Sequence, residues 1–410
     1  MSSVSLYQTV KLKKTKTNLR RKGFPWYYLD EIVFDRRTKN IKAGEIVKIQ
    51  DSNLGKLGVF AFNPNSKIAA RLLDVNHEAV IDNAWIRKQL KLALDLRKNL
   101  FKESFYRLVH GEVDNLPGVI VDRFGDTAVL QPNSAWAELN KEKITESIME
   151  FGVSNIVLNC MSRSRKLEGL NEGLTVIQGA VTEPIKVEMN EAVYFADVLR
   201  GQKTGIFFDQ RVNHGLAAKL SKGKDVLDVF SHVGGFGLAA LVSGARKVFA
   251  VDSSATALSL AVKGAEESGV IEQFETVNSD AFDAMKVFFQ SNQYFDMVVC
   301  DPPAFSPSKK TLNTGLRAYE RVALHSSRLV KPNGYLVLCS CSHAVDLSKF
   351  RNACVRGITR AGRQAQIISW GGAGPDHPIT SQLEQFGYLK SIFFRLLNSV
   401  SYTHLTLPTT

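Results

Sequence analysis

The sequence predicts an α/β protein: a doubly wound, mainly parallel sheet in the carboxyl-terminal half, preceded by a small β-rich domain. From about residue 205, short apolar runs alternate with helical patterns, which is typical of strands joined by crossover helices. Before residue 78, short apolar runs are separated by glycine, asparagine and proline, as in a small barrel or sandwich. A chain of 410 residues is long enough for about two or three domains.

Composition excludes several classes of protein. The chain is 44% hydrophobic and 22% charged, as globular proteins are. No apolar run approaches the roughly 18 residues of a membrane span, and the amino terminus lacks the apolar stretch of a signal peptide. Five cysteines without regular spacing argue against a disulfide framework. We therefore expect a cytoplasmic protein with no membrane partner.

Positive charge is concentrated near the amino terminus. The net charge is +12, and residues 11–22 hold seven basic side chains and no acidic one. Such a cluster is either an electrostatic footprint for nucleic-acid phosphates or a solvated surface segment. Charge alone leaves both interpretations open.

The elements of the first half follow from turn residues and apolar periodicity. One predicted element is a hairpin, which is expected to turn at Gly125-Asp126. The predicted segments are strands at 31–35, 45–52 and 57–63, a helix at 84–101, a hairpin at 118–131, a helix at 137–150, and strands at 155–160 and 190–199.

The second half predicts a seven-stranded sheet. Helical patterns lie between most of the strands, for example at 255–269 and 319–330. Because ligands of doubly wound sheets bind beyond the carboxyl ends of the strands, the chemistry is expected there. The predicted strands lie at 225–230, 247–252, 274–280, 295–301, 334–340, 364–370 and 391–397.

Residues 399–410 do not continue this pattern. The stretch SYTHLTLPTT at 401–410 resembles a translated sequencing adapter, so we exclude it from the fold prediction. The natural carboxyl terminus would then be missing or lie near Asn398.

The first strand of the predicted sheet ends in an acid and a glycine turn. Asp228 is followed by Gly234, Gly235 and Gly237, and the next strand ends in Asp252. Glycines let the backbone approach a ligand, and an acid after the second strand can hold ribose hydroxyls. A carboxylate so close to the turn would repel a pyrophosphate, but it suits a sulfonium ligand with an ammonium group. We therefore expect S-adenosylmethionine as the cofactor.

Two further strand ends carry polar residues. The third strand ends at 278–280, where Asp280 could face an adenine ring. The fourth ends at 301–303, Asp-Pro-Pro, whose prolines fix the backbone so that Asp301 points into the cleft. Phe305 could stack on a planar base. An ordinary turn is the alternative for the Asp-Pro-Pro segment, and we favour function because the cofactor's methyl group would lie there.

The fifth strand ends in CSCSH. Cys339, Cys341 and His343 alternate and could share a face, but no complementary C-x-x-C or H-x-x-x-H pattern supports a metal, and we expect none. Cys339 and Cys300 suit a packing role, whereas Cys341 lies farther past the apolar run and is the better nucleophile. A thiolate that adds to C6 of cytosine makes C5 able to attack a methyl group. His343 is either a proton carrier or a loop residue.

At this point the chain resembles a known family, the bacterial class I methyltransferases that make 5-methylcytosine in large-subunit ribosomal RNA. The resemblance covers nearly all of residues 8–398. The matching motifs are GFPWYY, GEVDNLPGVIVDRFGD, GQKTGIFFDQR, DVFSHVGGF, AVDSS, DPPAFSPSKK, CSCSH and DHPI, in that order. The family implies an N-terminal PUA β-barrel at 8–78, a central α/β domain at 79–190 and a Rossmann-like class I methyltransferase domain at 191–398, with a final antiparallel strand.

The resemblance also implies roles for individual residues. Cys341 matches the family's nucleophile, and Asp301 matches the acid that contacts the target base and the methyl donor. The expected cofactor-binding residues are Asp228, Phe230, Ser231, Gly234, Gly235, Asp252, Ser253, Asp280, Asp301 and Pro302. The expected RNA-binding residues are Lys13, Lys14, Lys16, Arg20, Arg21, Lys203, Arg211 and Phe305.

Residues 202–211 are expected to close over cofactor or RNA, unless they form a strand–helix junction with Asp209 as N-cap. Other RNA cytosine-5 methyltransferases carry a second cysteine directly after Pro-Pro, where this chain has Ala304, so the base that removes the C5 proton is unidentified. Two alternatives stay open: methylation of a purine nitrogen, and an RNA-binding protein with an inactive methyltransferase domain. The target nucleotide, naked or assembled rRNA, and the oligomeric state, with a homodimer as one option, also stay open.

Overall fold

The computed structural model describes residues 6–14, 23–201, 204–382 and 387–397. The chain divides into two units. The first comprises Met1–Ile185, Asp197–Gly205 and Pro375–Glu384, and the second comprises Lys186–Ala196, Ile206–Gly374 and Gln385–Thr410. Within the described ranges, no helix has both the length and the apolar character needed to cross a bilayer.

The first sheet of the first unit has five strands in the order β1-β3-β4-β5-β2, with β1 parallel to β3 and the other pairs antiparallel. Its strands alternate buried apolar residues such as Val47 and Ile49, which form a small core with Tyr27 and Phe60. The elements are β1 (Gln8–Lys11), β2 (Trp26–Tyr28), α1 (Arg36–Lys39), β3 (Ile46–Asp51), β4 (Gly55–Phe62) and β5 (Ile68–Asp74).

The prediction of a strand at 31–35 is wrong. Leu29–Glu31 form a 3-10 turn, and Ile32 makes only an isolated bridge to Leu12. The Glu31 side chain accepts from the Tyr28 backbone N–H at 2.8 Å, and Asp35 caps α1. Side-chain bonds to the local backbone therefore compete with pairing to a neighbouring strand.

The second sheet has the order β10-β9-β8-β7-β6, in which only the β8–β9 pair is parallel. The predicted hairpin turn at Gly125-Asp126 joins β7 to β8 and is confirmed. The helix predicted at 137–150 is broken at Asn140, whose side-chain amide donates to the Trp136 carbonyl at 2.9 Å. The elements are α2 (Asn83–Leu100), β6 (Phe105–His110), β7 (Val119–Phe124), β8 (Thr127–Pro132), α3 (Ala135–Leu139), α4 (Lys141–Met149), β9 (Asn155–Asn159), α5 (Arg163–Leu167) and β10 (Leu174–Gln178).

A buried arginine joins α2 to a distant part of the chain. Arg97 is 0% exposed and makes two bonds to the Asp114 carboxylate, at 2.6 and 2.9 Å. It also donates to the Asp376 carbonyl at 2.9 Å, and the Asp376 carboxylate accepts from the Arg107 backbone N–H at 3.0 Å. The DHPI motif is therefore held in the first unit by charge-assisted hydrogen bonds.

Thr204 of the GQKTG motif is held in the same way. Arg107 pairs with the buried Asp122 carboxylate at 2.6 and 3.0 Å. Thr204 donates its hydroxyl to the same carboxylate at 2.9 Å. The DHPI motif and Thr204 are thus both held through buried carboxylates that accept hydrogen bonds.

The second unit contains the predicted doubly wound sheet, and all seven predicted strands are confirmed. The order is β15-β14-β13-β16-β17-β19-β18, with the first five strands parallel and β19 antiparallel to both of its neighbours. The strand order reverses beside β13, where ligands of such sheets bind. The elements are the hairpin β11 (Ile185–Met189) and β12 (Ala192–Ala196), then α6 (Arg211–Leu220), β13 (Asp225–Val229), α7 (Gly235–Val242), β14 (Lys247–Asp252), α8 (Ala255–Glu267), β15 (Phe274–Asn278), α9 (Ala281–Gln290), β16 (Phe295–Cys300), α10 (Leu312–Leu329), β17 (Val330–Ser340), α11 (Leu347–Arg360), β18 (Ala365–Gly371) and β19 (Lys390–Leu396).

We predict that Arg97→Met destabilises the first unit by about 3–5 kcal/mol, because Asp114 would become a buried charge without its partner. Denaturant unfolding measures the change. Arg87→Met on the same helix is the matched control, since its pair with Glu150 is exposed (60% and 45%) and its loss should cost less than about 1 kcal/mol. Equal effects of the two substitutions would contradict the assigned role of Arg97.

Candidate active site

Asp228 lies fully buried near the carboxyl end of β13. One carboxylate oxygen, Oδ2, accepts from the Gly237 N–H at 2.9 Å, while Oδ1 is buried without a hydrogen-bond partner. A Cβ on Gly237 would lie 2.8 Å from Val248 Cγ1, so glycine is needed for this close approach. Burial raises the pKa of Asp228 to about 7, the Gly237 hydrogen bond opposes this, and the charges of Asp301 and Asp252 add to it. The predicted strand-end acids therefore interact with one another.

The loop between β13 and α7 has an unusual backbone. Phe230, His232 and Gly234 all have positive φ, at 63°, 51° and 82°. A left-handed conformation costs a non-glycine residue about 1–2 kcal/mol. The neighbouring strand helps to hold it, since the His232 N–H donates to Asp252 Oδ2 at 2.9 Å. Strain of this kind is typical of ligand-binding segments.

The acids after β14 and β15 also shape their own loops. Asp252 Oδ1 accepts from the Ser254 N–H at 2.8 Å. Asp280 is the N-cap of α9 and accepts from the backbone N–H groups of Phe282 and Asp283 at 2.8 and 3.3 Å. Ser253 is exposed beside Asp252. Asp252, Ser253 and Asp280 therefore lie at the ligand-binding edge of the sheet, and their contact with a cofactor stays a prediction.

The parallel pairing of β16 and β17 brings the Asp-Pro-Pro and CSCSH segments together. Cys300, the last residue of β16, pairs with Leu338 of β17. Asp301 follows directly, and the Cys341 thiol donates towards the Pro302 carbonyl, with the sulfur 4.0 Å from the oxygen. Cys341 and Asp301 thus lie at neighbouring strand ends.

The neighbouring thiols differ from Cys341 in their surroundings. Cys339 and Cys300 are 1% and 0% exposed, and burial raises the pKa of each, whereas Cys341 is only half-buried. Cys339 lies 3.1 Å from the Ser391 hydroxyl inside the sheet. In the described part of the chain, no group of three or more His, Cys, Asp or Glu side chains is arranged to hold a metal ion.

A buried serine links the two loops. Ser342 Oγ accepts from the Ser306 N–H at 3.0 Å and lies 2.8 Å from the Tyr319 hydroxyl. Ser306 belongs to the loop after β16, and Tyr319 lies on α10. Ser342, the residue after Cys341, therefore connects the loop after β17 to the loop after β16 and to α10.

Sequence reasoning missed a buried lysine at this site. Lys390 begins β19, is 6% exposed, and donates to the carbonyls of Ser342 and Val345, both at 2.7 Å. Strand β19, KSIFFRL, also carries Ser391 and Arg395, so a lysine at its start gave no local signal of burial.

The alternative prediction from the sequence, that Asp209 is an N-cap, is wrong. Helix α6 starts after a 3-10 turn, with Gln210 at the cap position and no side-chain cap. Asp209 instead accepts a hydrogen bond from the Tyr388 hydroxyl, and the Tyr388 ring stacks on His343 with centroids 5.1 Å apart. A long-range contact thus takes the place of the local one.

The predicted RNA-binding residues lie in several places. Lys13 and Lys14 are exposed beyond β1. Arg211 opens α6, with its guanidinium 5.6 Å from the Phe208 ring centroid. Phe305 packs its ring on Tyr319, with centroids 5.0 Å apart, and is partly exposed. Lys16, Arg20, Arg21 and Lys203 fall outside the described residues.

Comparison with known proteins agrees with this geometry. Residues 10–74 match a PUA-like domain, and residues 172–358 match an S-adenosylmethionine-dependent methyltransferase domain. The ribosomal RNA large subunit methyltransferase I of Aeromonas salmonicida is 34% identical over 93% of this chain and 97% of its own. That of Aliivibrio fischeri is 33% identical over 96% of this chain and 100% of its own. The chain belongs to this family. The resemblance found in the sequence is therefore confirmed.

Solved structures show the same fold. A Streptococcus mutans protein assigned as a SAM-dependent methyltransferase is 18% identical, with a TM-score of 0.78, over 95% of this chain and 100% of its own. An assigned methyltransferase solved with S-adenosylhomocysteine gives a TM-score of 0.77 at 19% identity, over 95% of this chain and 99% of its own. The Rossmann-like class I fold is therefore confirmed.

The cofactor of this family member is S-adenosylmethionine, and the residues at the β13 edge fit it. Asp228 Oδ1 and Ser231 Oγ are both buried without a hydrogen-bond partner, which leaves polar groups for a ligand to satisfy. A buried carboxylate suits the positive charges of the cofactor's ammonium and sulfonium groups. Because position 237 is a glycine, no side chain covers Asp228 there.

We predict that Asp228→Asn weakens S-adenosylmethionine binding and removes its dependence on pH between 5.5 and 7.5. The Asp228 pKa is raised to about 7, so the carboxylate gains its charge, and wild-type affinity rises, as the pH passes about 7. Calorimetry at several pH values measures this. A wild-type affinity that is flat across this range would contradict the role of Asp228.

The same substitution should stabilise the protein without ligand. Because the folded pKa lies above the ordinary value of 3.8, the charge of Asp228 destabilises the fold progressively as the pH rises from 3.8 towards about 7. Thermal unfolding of Asp228→Asn should therefore show a gain over wild type that is larger at pH 8 than at pH 5.

Proposed function

We propose that this chain uses S-adenosylmethionine to methylate C5 of a cytosine in large-subunit ribosomal RNA, through a covalent adduct with Cys341. The observation that supports this most is the 4.0 Å approach of Cys341 Sγ to the Pro302 carbonyl, which places a half-buried thiol beside Asp301. The relatives are named for large-subunit ribosomal RNA, and this gives the substrate class.

The reaction follows from the chemistry of the two strand ends. The Cys341 thiolate adds to C6, the C5–C6 double bond opens, and C5 becomes nucleophilic. Asp301 accepts a hydrogen bond from the exocyclic amino group and orients the ring. The cofactor, held by residues such as Asp228 and Ser231, would supply an electrophilic methyl group to C5, and the electron pair of the broken S–C bond would stay on its sulfur. A base then removes the C5 proton, the C–H electron pair restores the double bond, and Cys341 leaves as thiolate.

Only one of the five cysteines suits this role. Cys160, Cys300, Cys339 and Cys354 are at most 6% exposed, and burial raises the pKa of each. A thiol of this kind neither ionises readily nor reaches a substrate. Cys341 is less buried and lies past the strand end. The five free cysteines suit a reducing compartment, and we therefore propose a cytoplasmic location.

RNA binding would use basic residues of both units. We propose that Lys13, Lys14, Lys16, Arg20 and Arg21 of the PUA domain contact phosphates. Lys203 and Arg211 would bind the RNA near the methyltransferase domain, and Phe305 would stack on a base. For these roles we retain the boundaries 8–78, 79–190 and 191–398.

A purine nitrogen is the alternative target. Ala304 occupies the position after Pro-Pro, so no second cysteine stands there to assist release of an adduct. A nitrogen with its own lone pair needs no thiol adduct. The two chemistries therefore differ in whether Cys341 is required.

We predict that Cys341→Ala lowers methyl transfer to ribosomal RNA by at least about a thousandfold, because cytosine C5 is a weak nucleophile without the adduct. The affinity for S-adenosylmethionine should stay within about threefold of wild type, since Cys341 lies just after β17 and not at the β13 edge. Mass spectrometry of nucleosides and calorimetry measure the two quantities. Cys354→Ala, a fully buried thiol of the same unit, is the control and should keep transfer.

RNA with 5-fluorocytidine at the target provides a second readout. Fluorine cannot leave C5 as a cation, so the adduct should persist as a protein–RNA species on a denaturing gel for wild type and be absent for Cys341→Ala. Full transfer by Cys341→Ala, with a methylated purine as product, would establish the alternative. Absence of cofactor binding by wild type would instead indicate an inactive domain.

A further inference from the structure

Lys390 is buried, and within the described residues its ammonium group contacts backbone carbonyls rather than an acidic side chain. It is 6% exposed, and in the described part of the chain no carboxylate oxygen lies within 4 Å of its ammonium group. The ammonium group donates hydrogen bonds to two backbone carbonyls, Ser342 O and Val345 O, both at 2.7 Å. Burying a cation without a counter-ion is costly. Because burying Lys390 costs free energy, we expect this side chain to have a role that compensates for the cost.

The two carbonyls identify what Lys390 holds. Both belong to the loop that begins at Cys341, and Ser342 directly follows the thiol. Strand β19 carries Lys390 and pairs with β17 up to Ser340, so the ammonium group reaches the loop from an adjacent strand. The lysine therefore holds the Ser342 carbonyl, while the hydroxyl of the same residue contacts Tyr319, so the residue after the thiol is held by two elements.

The same placement affects the charge of the thiol. Burial lowers the pKa of Lys390 to about 8, and interactions with Cys341 and Asp346 oppose that shift. Lys390 and Cys341 are therefore close enough to influence each other's ionisation. Among the described residues, Tyr319 on α10 also interacts electrostatically with Cys341, Asp301 follows the neighbouring strand β16, and His343 lies two residues farther along the loop, stacked on Tyr388. Asp346 is itself paired with Lys349.

We propose that Lys390 is a positioning residue for the reaction, holding the Cys341 loop in place and stabilising the Cys341 thiolate. This inference rests on the proposed function, because it concerns the nucleophile of that reaction. The lysine touches neither substrate nor cofactor. It acts through two hydrogen bonds to the loop and through its positive charge, which favours the ionised sulfur.

The reactivity of Cys341 tests this independently of methyl transfer. Iodoacetamide alkylates thiolates, so the rate of Cys341 alkylation followed from pH 5.5 to 9.5 gives the midpoint of thiol ionisation. Peptide mass spectrometry assigns the modified residue, and the four cysteines that are at most 6% exposed serve as slow internal references.

Three substitutions separate charge from shape. Lys390→Gln removes the charge and keeps a hydrogen-bond donor, and it should raise the midpoint by about one pH unit, which lowers the thiolate fraction at pH 7 about tenfold. Lys390→Arg keeps the charge and should restore most of the wild-type reactivity. Lys349→Met removes an exposed lysine that pairs with Asp346 near the same loop, and it should leave the midpoint unchanged.

A wild-type midpoint in folded Lys390→Gln would overturn the proposal, and far-UV circular dichroism with thermal unfolding establishes that the variant is folded. If Lys390→Gln does not fold, Lys390→Arg decides through its own midpoint, since arginine keeps the positive charge. A shift of that midpoint as large as one unit would also overturn the proposal. Failure of the proposed function is distinct from both results, because it appears as transfer activity in Cys341→Ala.

Discussion

The parallel pairing of β16 with β17 decides where the chemistry of this chain lies. Once Cys300 is opposite Leu338, the residues after the two strands must emerge at the same edge of the sheet. The sequence separation of Asp301 and Cys341 then matters little, since a rigid sheet sets the distance between them. The hydroxyl of Ser342 adds a fixed link between the two loops. The strand register therefore fixes the distance between Asp301 and Cys341, which a flexible loop could not do.

The site is assembled at a cost in stability. Among the described residues, Asp228 is buried with one carboxylate oxygen unsatisfied, and Lys390 is buried without a carboxylate in direct contact with its ammonium group. Phe230 and His232 adopt left-handed backbone conformations that disfavour side chains. All four positions lie in the second unit, at or next to the ends of β13, β17 and β19. Away from these ends, that unit has an apolar core in which Leu227, Val298 and other residues are fully buried. Functional sites commonly concentrate such violations while the surrounding core supplies stability.

The sequence predicted what depends on local patterns and missed what depends on distant partners. Alternating apolar runs and helical segments identified all seven strands of the large sheet, and the apolar runs are clearest in central strands such as β13 and β16, which are buried on both faces. The strand ends then located Asp228, Asp301 and Cys341. The segment 31–35 has an apolar pattern too, but local bonds from Glu31 and Asp35 give it another conformation.

Two parts of the site could not be predicted from local patterns. Asp209 binds Tyr388, 179 residues away, and Lys390 reaches Ser342 across 48 residues. Charge explains why such a distant lysine is needed. The acids at the ends of β13, β14 and β16 suit a cationic cofactor, but they also disfavour a nearby thiolate: Asp301 contributes to the raised pKa of both Cys300 and Cys339. A sulfur nucleophile beside these acids therefore requires a positive charge on its other side. Strand β19, antiparallel and adjacent to β17, is placed to supply that charge without entering the cofactor edge.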